Sequence, residues 1–579
     1  MKIFISYSAN KEQIQQLTAD LTEVLGHQVW FDKGILGGQQ WWEAILDEIR
    51  NCDVFITALT LQSLESEACK IEWQYAKDLN RGFLPVLMDA QISNVRLPPF
   101  MREIQWVRYI EHQNVEKRRQ EIVDLRRAIE GMAIARPLPN PLPLAPEPPS
   151  PNGSGPAYST DMENRIPLYN FRKLLPPSSR LFTLKQGLQI HRQKFGSDIP
   201  QFDFSQGDSN LTLPGVPQDI LEQAHQYQLM RGTSYESPLG SPEFRKITAE
   251  QYWNLDPAIG WSQANIIFVQ GGRDGLANAY DAMLTLSDTS YGDVLVITRV
   301  PWISYQWGPT TKGLNTILAP GEASEGWRYT YQALKKTFEF VKLDGRRIAG
   351  LILSSPDNPT GLLLSLEEQI EISRAALEIG YPFVLLDWMC HWLTDTGPYD
   401  INQFLMAFTP EERERLIFLD GLTKSLGAAN IRSAHLLAGR KVINYIATQL
   451  SHTGVPSFYP QAVAIAAYEK GFAKSAAHII SPVAASRRVL QQALVAIGIP
   501  FIIGGGFYAF LDMTKYIDAM GMEDSERFGR FLAEQYGILL VPGLYYSDAA
   551  ANWMRLTYAM QPDQTKSAIE YLVKVLNSL

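Results

Sequence analysis

The chain has few cysteines, no excess of basic residues and no long uninterrupted apolar run. Its 579 residues include 3 cysteines, Cys52, Cys69 and Cys390, too few and too scattered for a disulfide framework or a thiolate metal site. Lys+Arg 52 against Asp+Glu 61 leaves a net charge of −9, which favours neither nucleic acid nor an anionic membrane. The N-terminal stretch MKIFISYSANKEQ turns polar too early for a signal peptide. These absences predict a cytoplasmic protein with no metal, nucleic-acid or membrane partner.

One proline-rich segment divides the chain. Residues 135–156, ARPLPNPLPLAPEPPSPNGSGP, contain nine prolines and almost no residue able to join a core. Proline holds the backbone extended, so the segment predicts a stiff spacer, with a proline-rich ligand motif as the alternative. We therefore predict a first domain over 1–133, a linker over 134–159 and a second region over 160–579.

Both flanking regions alternate apolar strands with amphipathic helices, the pattern of α/β folds. In the last helix before the linker, a run of basic residues is interpreted as a solvated face; these are Lys117, Arg118, Arg119, Arg126 and Arg127. After the linker, continuous apolar runs are typical of parallel strands covered on both faces, as at 266–269, 294–297, 351–353, 383–386 and 416–419. The second region is too long for one core. We predict a large domain over about 225–460 and a small domain from 160–224 and 461–579.

Three boxes in the first region occur in a recognisable order. They are the strand Ile3 to Ser6, the loop after Phe31-Asp32 that leads to Trp41, and Cys69-Lys70-Ile71-Glu72. Over 1–133 the chain resembles a TIR domain, which implies a flavodoxin-like parallel-sheet fold. Catalytic members of that family cleave the nicotinamide–ribose bond of NAD+, and the resemblance implies Glu72 as their essential glutamate. The alternative is that Glu72 is a solvated helix residue of a scaffold that only binds other TIR domains.

A single carboxylate suits this reaction, because nicotinamide leaves as a neutral group and a ribosyl cation needs a negative charge beneath it. Many catalytic relatives carry a tryptophan four residues before the glutamate, where this sequence has Ala68. Tyr7 or Trp41 could supply a ring against the cationic nicotinamide instead, with core packing as the other interpretation of Trp41. The family completes its sites across two TIR domains, which implies a higher TIR-mediated assembly.

The second region carries another ordered set of boxes. They are Tyr235-x4-Gly240-x4-Arg245, Gly271-Gly272-Arg273-Asp274, Pro356-Asp357-Asn358-Pro359-Thr360-Gly361, Asp387 at a strand end, Lys424 with Arg432 eight residues on, and Arg555. From about residue 165 the chain resembles fold-type I, pyridoxal 5'-phosphate (PLP) dependent aminotransferases of class I/II.

The resemblance implies a role for each of these residues. Lys424 would hold PLP as a Schiff base, and Asp387 would keep its pyridine nitrogen protonated. Asn358 would bind the ring oxygen, and Arg555 would clamp a substrate carboxylate. The phosphate would be held by Arg432, by the backbone amides around Gly272 and Arg273, and by Tyr235 of a partner subunit.

Other residues of this region are less defined by the family pattern. Trp302 or Tyr305 could stack on the cofactor ring, with core packing as an equal alternative for Trp302. The family's Asp-Glu-x-Tyr is replaced by Asp387-Trp388-Met389-Cys390, which removes a tyrosine that reaches the ring oxygen. Cys390 and His391 are either packing residues or groups that tune a different reaction.

Two functions follow from these resemblances. In the first, the TIR domain is an NAD+ hydrolase effector, by analogy of architecture a bacterial antiphage defence protein. Its aminotransferase-like region then forms a homodimer and senses an amino-acid ligand. In the second, the chain is an active PLP-dependent aminotransferase and its TIR domain is a non-catalytic adaptor.

Overall fold

The computed structural model describes residues 1–8, 11–30, 39–89, 106–110, 115–132, 181–196, 198–206 and 211–579, together with residues 92, 101, 104, 138, 139, 142, 143, 145 and 146. The chain forms two compact units, Met1–Met162 and Glu163–Leu579. Among the described residues, no helix combines the length and the apolar character that crossing a membrane requires.

The N-terminal unit contains a five-stranded parallel sheet in the order β2-β1-β3-β4-β5. The strands are β1 (Lys2–Ser6), β2 (Gln28–Trp30), β3 (Val54–Leu59), β4 (Gly82–Leu87) and β5 (Val107–Arg108). Its helices are Lys11–Ala19, continued by a π-helical turn Asp20–Val24, then Gln39–Asn51, Leu61–Glu65, Glu67–Asp78 and Val115–Glu130. Alternate strand residues face two separate apolar clusters, because successive side chains of a strand point to opposite faces.

One basic residue of the last helix does not belong to a solvated face. The guanidinium of Arg118 donates to both carboxylate oxygens of Asp20, which also accepts from the Tyr109 hydroxyl. Asp20 is completely buried, and a buried carboxylate requires such partners. The interpretation of Arg118 from its basic run was therefore wrong, because the run gave no sign of a distant buried acid.

The C-terminal unit is built around a seven-stranded sheet in the order β7-β13-β12-β11-β10-β8-β9. The strands are β7 (Ile266–Val269), β8 (Val294–Ile297), β9 (Asn315–Leu318), β10 (Ile348–Ser354), β11 (Val384–Asp387), β12 (Leu416–Gly421) and β13 (Ala434–Ala438). β13 runs antiparallel to both of its neighbours, and the other pairs are parallel. The apolar runs named from the sequence correspond to five of these seven strands, β7, β8, β10, β11 and β12.

Both faces of this sheet are covered. Leu385 and Ile417 pack into one apolar cluster, whereas Leu386 and Phe418, one residue later, pack into the other. Coverage on both faces explains why these strands are continuously apolar.

A second, smaller core lies beside the large sheet. Its strands are β14 (Phe501–Ile502), β15 (Tyr508–Asp512), β17 (Val541–Pro542) and β18 (Trp553–Thr557), in the order β14-β15-β18-β17, with a separate pair of β6 (Phe202–Asp203) and β16 (Ile538–Leu539). The long helix Phe472–Ile497 contributes to both cores: Phe472 and Ala476 belong to the large one, and Ile479 and Val483 to the small one. Parts of the chain far apart in sequence therefore build each domain.

The helices of this unit surround the two cores. They are Leu181–Phe195, Gln218–Arg231, Pro242–Ile247, Gly272–Leu286, Ile303–Trp307, Tyr331–Leu343, Leu366–Ile379, Ile401–Met406, Pro410–Arg413, Leu422–Ser425, Arg440–Thr453, Tyr459–Glu469, Phe472–Ile497, Thr514–Ala519, Ser525–Tyr536 and Pro562–Leu576.

Candidate active site

Most of the predicted site residues of the second region meet near the carboxyl ends of β10, β11 and β12. Parallel strands end at one edge of a sheet, and open α/β sheets bind ligands there. A cavity of about 850 Å³ opens at this edge. Among the residues that line it are Arg273, Asn358, Asp387, Lys424, Arg432 and Arg555. Gly272 lines it as well, so the fold brings seven of the predicted residues to one cavity.

Asp387, the last residue of β11, is buried at the bottom of this arrangement. Its Oδ2 accepts a hydrogen bond from the Tyr305 hydroxyl at 2.7 Å, and its Oδ1 accepts from the Met389 backbone N–H at 3.0 Å. Burial raises the pKa of Asp387 to about 6, although the Tyr305 hydrogen bond and the nearby Lys424 charge lower it. Tyr305 therefore holds the carboxylate, a role that the sequence did not indicate.

The helix Gly272–Leu286 begins at the cavity wall beside Arg432. The helix has no side-chain cap at Gly271, whose φ of +89° favours glycine. A Cβ at Gly271 would lie 2.4 Å from Nη2 of Arg432, so only glycine lets the guanidinium approach the helix start. Arg432 itself has a φ of 60°, a backbone conformation that costs free energy and occurs at functional sites. Unpaired helix amides beside a guanidinium fit a phosphate group.

Arg555, in the middle of β18, is buried although it carries a permanent charge. Its guanidinium donates to Oδ1 of Asn358 at 2.9 Å and to the carbonyl oxygen of Ser205 at 2.6 Å. Its Cζ lies 4.1 Å from the centre of the Tyr508 ring, which stabilises the cation. The arrangement suits capture of a carboxylate. Tyr508 and Ser205 were missed from the sequence, and a contact through a backbone carbonyl leaves no side-chain signal.

Lys424 lies on the single-turn helix Leu422–Ser425 that follows β12. Its Nζ is 5.3 Å from the centre of the Phe507 ring. Cys390 also lines the cavity, and burial raises the pKa of its thiol to about 12, so the thiol stays protonated near neutral pH. A thiol here provides neither the hydroxyl of the missing tyrosine nor a nucleophile.

Two further predicted residues, Trp302 and Tyr235, lie in surroundings that differ from each other. The Trp302 ring meets the Tyr305 ring edge-on at 5.3 Å, and Cζ of Arg273 lies 5.4 Å from the Trp302 ring centre. Tyr235 is 97% exposed and does not contact the cavity of its own chain. Its role in a partner subunit's site stays a prediction.

In the N-terminal unit, Glu72 lies on the helix Glu67–Asp78 and is 6% exposed, so it is not a solvated helix residue. Beside it, the indole N–H of Trp73 donates to the Ser6 hydroxyl at 3.2 Å, which ties this helix to the end of β1. Tyr7 is half-buried and packs against the cluster on the other side of the sheet. The Trp41 side chain and the loop 31–38 lie outside the described residues.

Comparisons with known proteins agree with both resemblances. The family model "Aminotransferase class I and II" matches residues 199–572, and the model "TIR domain" matches residues 3–123. The aspartate aminotransferase of Geobacillus stearothermophilus is 23% identical over 414 residues, which cover 70% of this chain and 97% of that protein. The aspartate aminotransferase of Musicola paradisiaca is 26% identical over 351 residues, covering 60% and 81%.

The solved structures agree on the fold. The structure of Thermus thermophilus aspartate aminotransferase with maleate matches with a TM-score of 0.58 at 21% identity, covering 71% of this chain and 99% of that chain. These findings establish a fold-type I region that follows a parallel-sheet domain in the sequence. The chain belongs to the class I and II aminotransferase family and carries a TIR domain at its N-terminal end.

Proposed function

We propose that the C-terminal unit binds PLP and acts on the amino group of an amino acid. The observation that carries this proposal is the meeting of Asp387, Lys424, Arg432 and Arg555 around one cavity. Membership of the aminotransferase family implies dependence on PLP, and the relatives named aspartate aminotransferase suggest an amino acid as substrate.

The residues present fit the cofactor. The helix start at Gly272 and Arg273, with the Arg432 guanidinium, would hold the phosphate. Asp387 would bind the pyridine nitrogen, and Asn358 would bind the ring oxygen through its Nδ2, since its Oδ1 accepts from Arg555. When bound, PLP supplies an electron sink for the carbanion that forms at the substrate carbon.

The protein's own groups would perform the remaining tasks. Arg555 would hold the substrate carboxylate and so orient the Cα–H bond toward Lys424. Nζ of Lys424 would take the proton from Cα of the substrate and deliver it to the carbon atom that is protonated in the next step. Asp387 must be ionised to hold a protonated pyridine, and its pKa of about 6 means that ionisation is nearly complete at pH 7 and above.

A homodimer is part of this proposal. Tyr235 is a large ring that is 97% exposed in the single chain, and Leu229 and Met230, a few residues earlier in the sequence, are 62% and 75% exposed. Apolar exposure on this scale favours an interface between subunits. In the dimer, Tyr235 would reach the phosphate of the partner subunit's site.

A second candidate function is NAD+ cleavage by the TIR domain, with Glu72 as the catalytic carboxylate. Its support is the burial of Glu72 at 6% exposure on a helix anchored to the end of β1 through Trp73. A carboxylate held away from bulk water acts strongly on a nearby cation, and here it would face the ribosyl cation. The whole chain would then be a cytoplasmic NAD+ hydrolase effector that acts in antiphage defence. The dimer would bring its TIR domains together.

One pair of variants tests the two functions in the full chain. Glu72→Gln should remove nicotinamide release and leave PLP binding intact, whereas Lys424→Ala should remove the covalent cofactor and leave the TIR domain folded. Absence of a PLP adduct in the wild-type protein would overturn the first function. Nicotinamide release by the Glu72→Gln protein, or none by wild-type protein clustered on beads, would overturn the second.

A further inference from the structure

A fully buried carboxylate lies next to the proposed cofactor site and has no part in the mechanism above. Asp420 is 0% exposed and occupies the last position but one of β12. Its Oδ2 accepts from the Tyr252 hydroxyl and lies 2.8 Å from Nε2 of His391. Its Oδ1 accepts from the backbone N–H of Gly421 at 2.6 Å. Two side chains from distant parts of the chain and the next backbone N–H thus converge on one acid.

This acid connects the two strand ends that carry the site. Asp420 precedes Lys424 by four residues, and His391 follows Asp387 by four. Gly421, which Asp420 binds, begins the turn that carries Lys424, and a Cβ at Gly421 would lie 2.6 Å from Cα of Ala434. There is therefore no room for a side chain at the start of the turn. The backbone N–H of Gly421 is fixed by its hydrogen bond to Asp420.

The partners of Asp420 are themselves held in an aromatic cage. The His391 ring stacks with Trp253 at 5.4 Å and with Trp388 at 5.7 Å between ring centres. The Trp392 indole N–H donates to the Tyr252 hydroxyl at 2.8 Å. This cage fixes the donors, so the carboxylate cannot turn toward water.

The charge of Asp420 acts on the site across the sheet. Asp387 pairs in register with Leu419, so Asp387 and Asp420 point to opposite faces. Burial is the main cause of the raised pKa of Asp387, and the negative charge of Asp420 raises it further, whereas Lys424 lowers it. The titratable groups around Asp420 are Tyr252, Cys390, His391, His435 and Tyr468, and those around Asp387 are Tyr280, Tyr305, Asp357, Cys390 and Lys424.

Core packing alone does not account for this acid. A buried carboxylate loses its hydration, and apolar residues of similar volume usually stabilise such a position at least as well. Asp420 contacts the start of the turn that carries Lys424, and its negative charge acts on Asp387. Both interactions give a functional reason for a buried acid at this position.

We propose that Asp420 is a positioning residue of the cofactor site, which holds the turn of Lys424 and supplies a negative charge behind Asp387. The inference rests on the proposed PLP function. The charge raises the pKa of Asp387, so we expect it to shift the pH at which the loaded site changes its protonation.

The test is a pH titration of the visible absorbance of the PLP-loaded, full-length protein. Asp420→Asn keeps the shape and can still accept from Gly421, but it removes the charge. Its absorbance midpoint should fall by on the order of one pH unit relative to wild type. Tyr252→Phe removes one donor and leaves the charge less compensated, so its midpoint should rise.

Tyr381→Phe is the matched control. Tyr381 lies three residues before β11, belongs to the same apolar core and is 0% exposed. Its hydroxyl donates to the Leu334 carbonyl oxygen at 2.8 Å. It should lose stability without a shift of the midpoint. Shifts of opposite sign in the two test variants support the proposal, because a structural loss alone would not give them.

An unchanged midpoint in Asp420→Asn, or a fall in Tyr252→Phe, overturns the proposal; if Asp420→Asn does not fold, Tyr252→Phe decides. Wild-type protein that takes up no PLP instead overturns the proposed function itself, and this inference with it.

Discussion

Replacing Arg555 with alanine should strongly weaken the binding of amino acids while PLP remains bound. The guanidinium is 7% exposed, and it would make charge-assisted hydrogen bonds to the substrate carboxylate. Hydrogen bonds to charged groups contribute about 1.5–3 kcal/mol. At about 1.4 kcal/mol for each factor of ten, the dissociation constant of an amino-acid ligand should rise roughly 10- to 150-fold.

The cofactor should survive this change, because in the proposed site the phosphate would be held by Arg432 and the helix start at Gly272 and not by Arg555. The assay is a titration of the PLP absorbance with aspartate, first in wild type and then in Arg555→Ala. A reduction with borohydride, followed by mass measurement, shows in parallel that the covalent cofactor is still present.

Arg487→Ala controls for loss of stability. Arg487 is 3% exposed and donates to the Leu393 carbonyl at 2.8 Å and to Asp395 at 2.6 Å, but it does not line the cavity. It should lower the melting temperature and leave the amino-acid titration unchanged. An Arg555→Ala protein that responds to aspartate at wild-type concentrations would refute the assignment of Arg555.

Other consequences of the structure are equally open to measurement. Purified protein should be yellow, with absorbance at roughly 400 nm or slightly above, and Lys424→Ala should lose the borohydride-trapped adduct; colourless protein that takes up no PLP would contradict this. Because the pKa of Asp387 is raised to about 6, the carboxylate forms as pH rises through that value, so PLP affinity should increase between pH 5 and 7, as measured by equilibrium titration; a flat profile would count against Asp387. Glu72→Gln should reduce NAD+ cleavage by orders of magnitude with an unchanged fold, and residues 1–133 alone should be nearly inactive until they are clustered. Asp20→Ala removes the carboxylate that accepts from the Arg118 guanidinium and the Tyr109 hydroxyl; because the Arg118 side chain is 33% exposed and can be solvated, the TIR domain should lose about 1–3 kcal/mol in denaturant unfolding, and no measurable loss would show that the pair is dispensable.

Local pattern carried much of the fold. The runs at 266–269 and 294–297 coincide with β7 and β8, because a strand covered on both faces must be apolar at every position. The family resemblance implied roles for Asp387 and Lys424, and both residues lie at or just after a strand end. Such positions reach one edge of a parallel sheet whatever the details of packing.

The partners of these residues depended on tertiary structure. Tyr305 binds Asp387 across 82 positions, and Arg555 reaches the Ser205 carbonyl across 350. Arg118 was misinterpreted for the same reason, since Asp20 lies 98 positions away. Spacing along the chain indicates which residues share a strand end or a helix turn. Which buried charge meets which donor is decided only when distant segments pack, because desolvation makes an unpaired charge too costly to leave in the core.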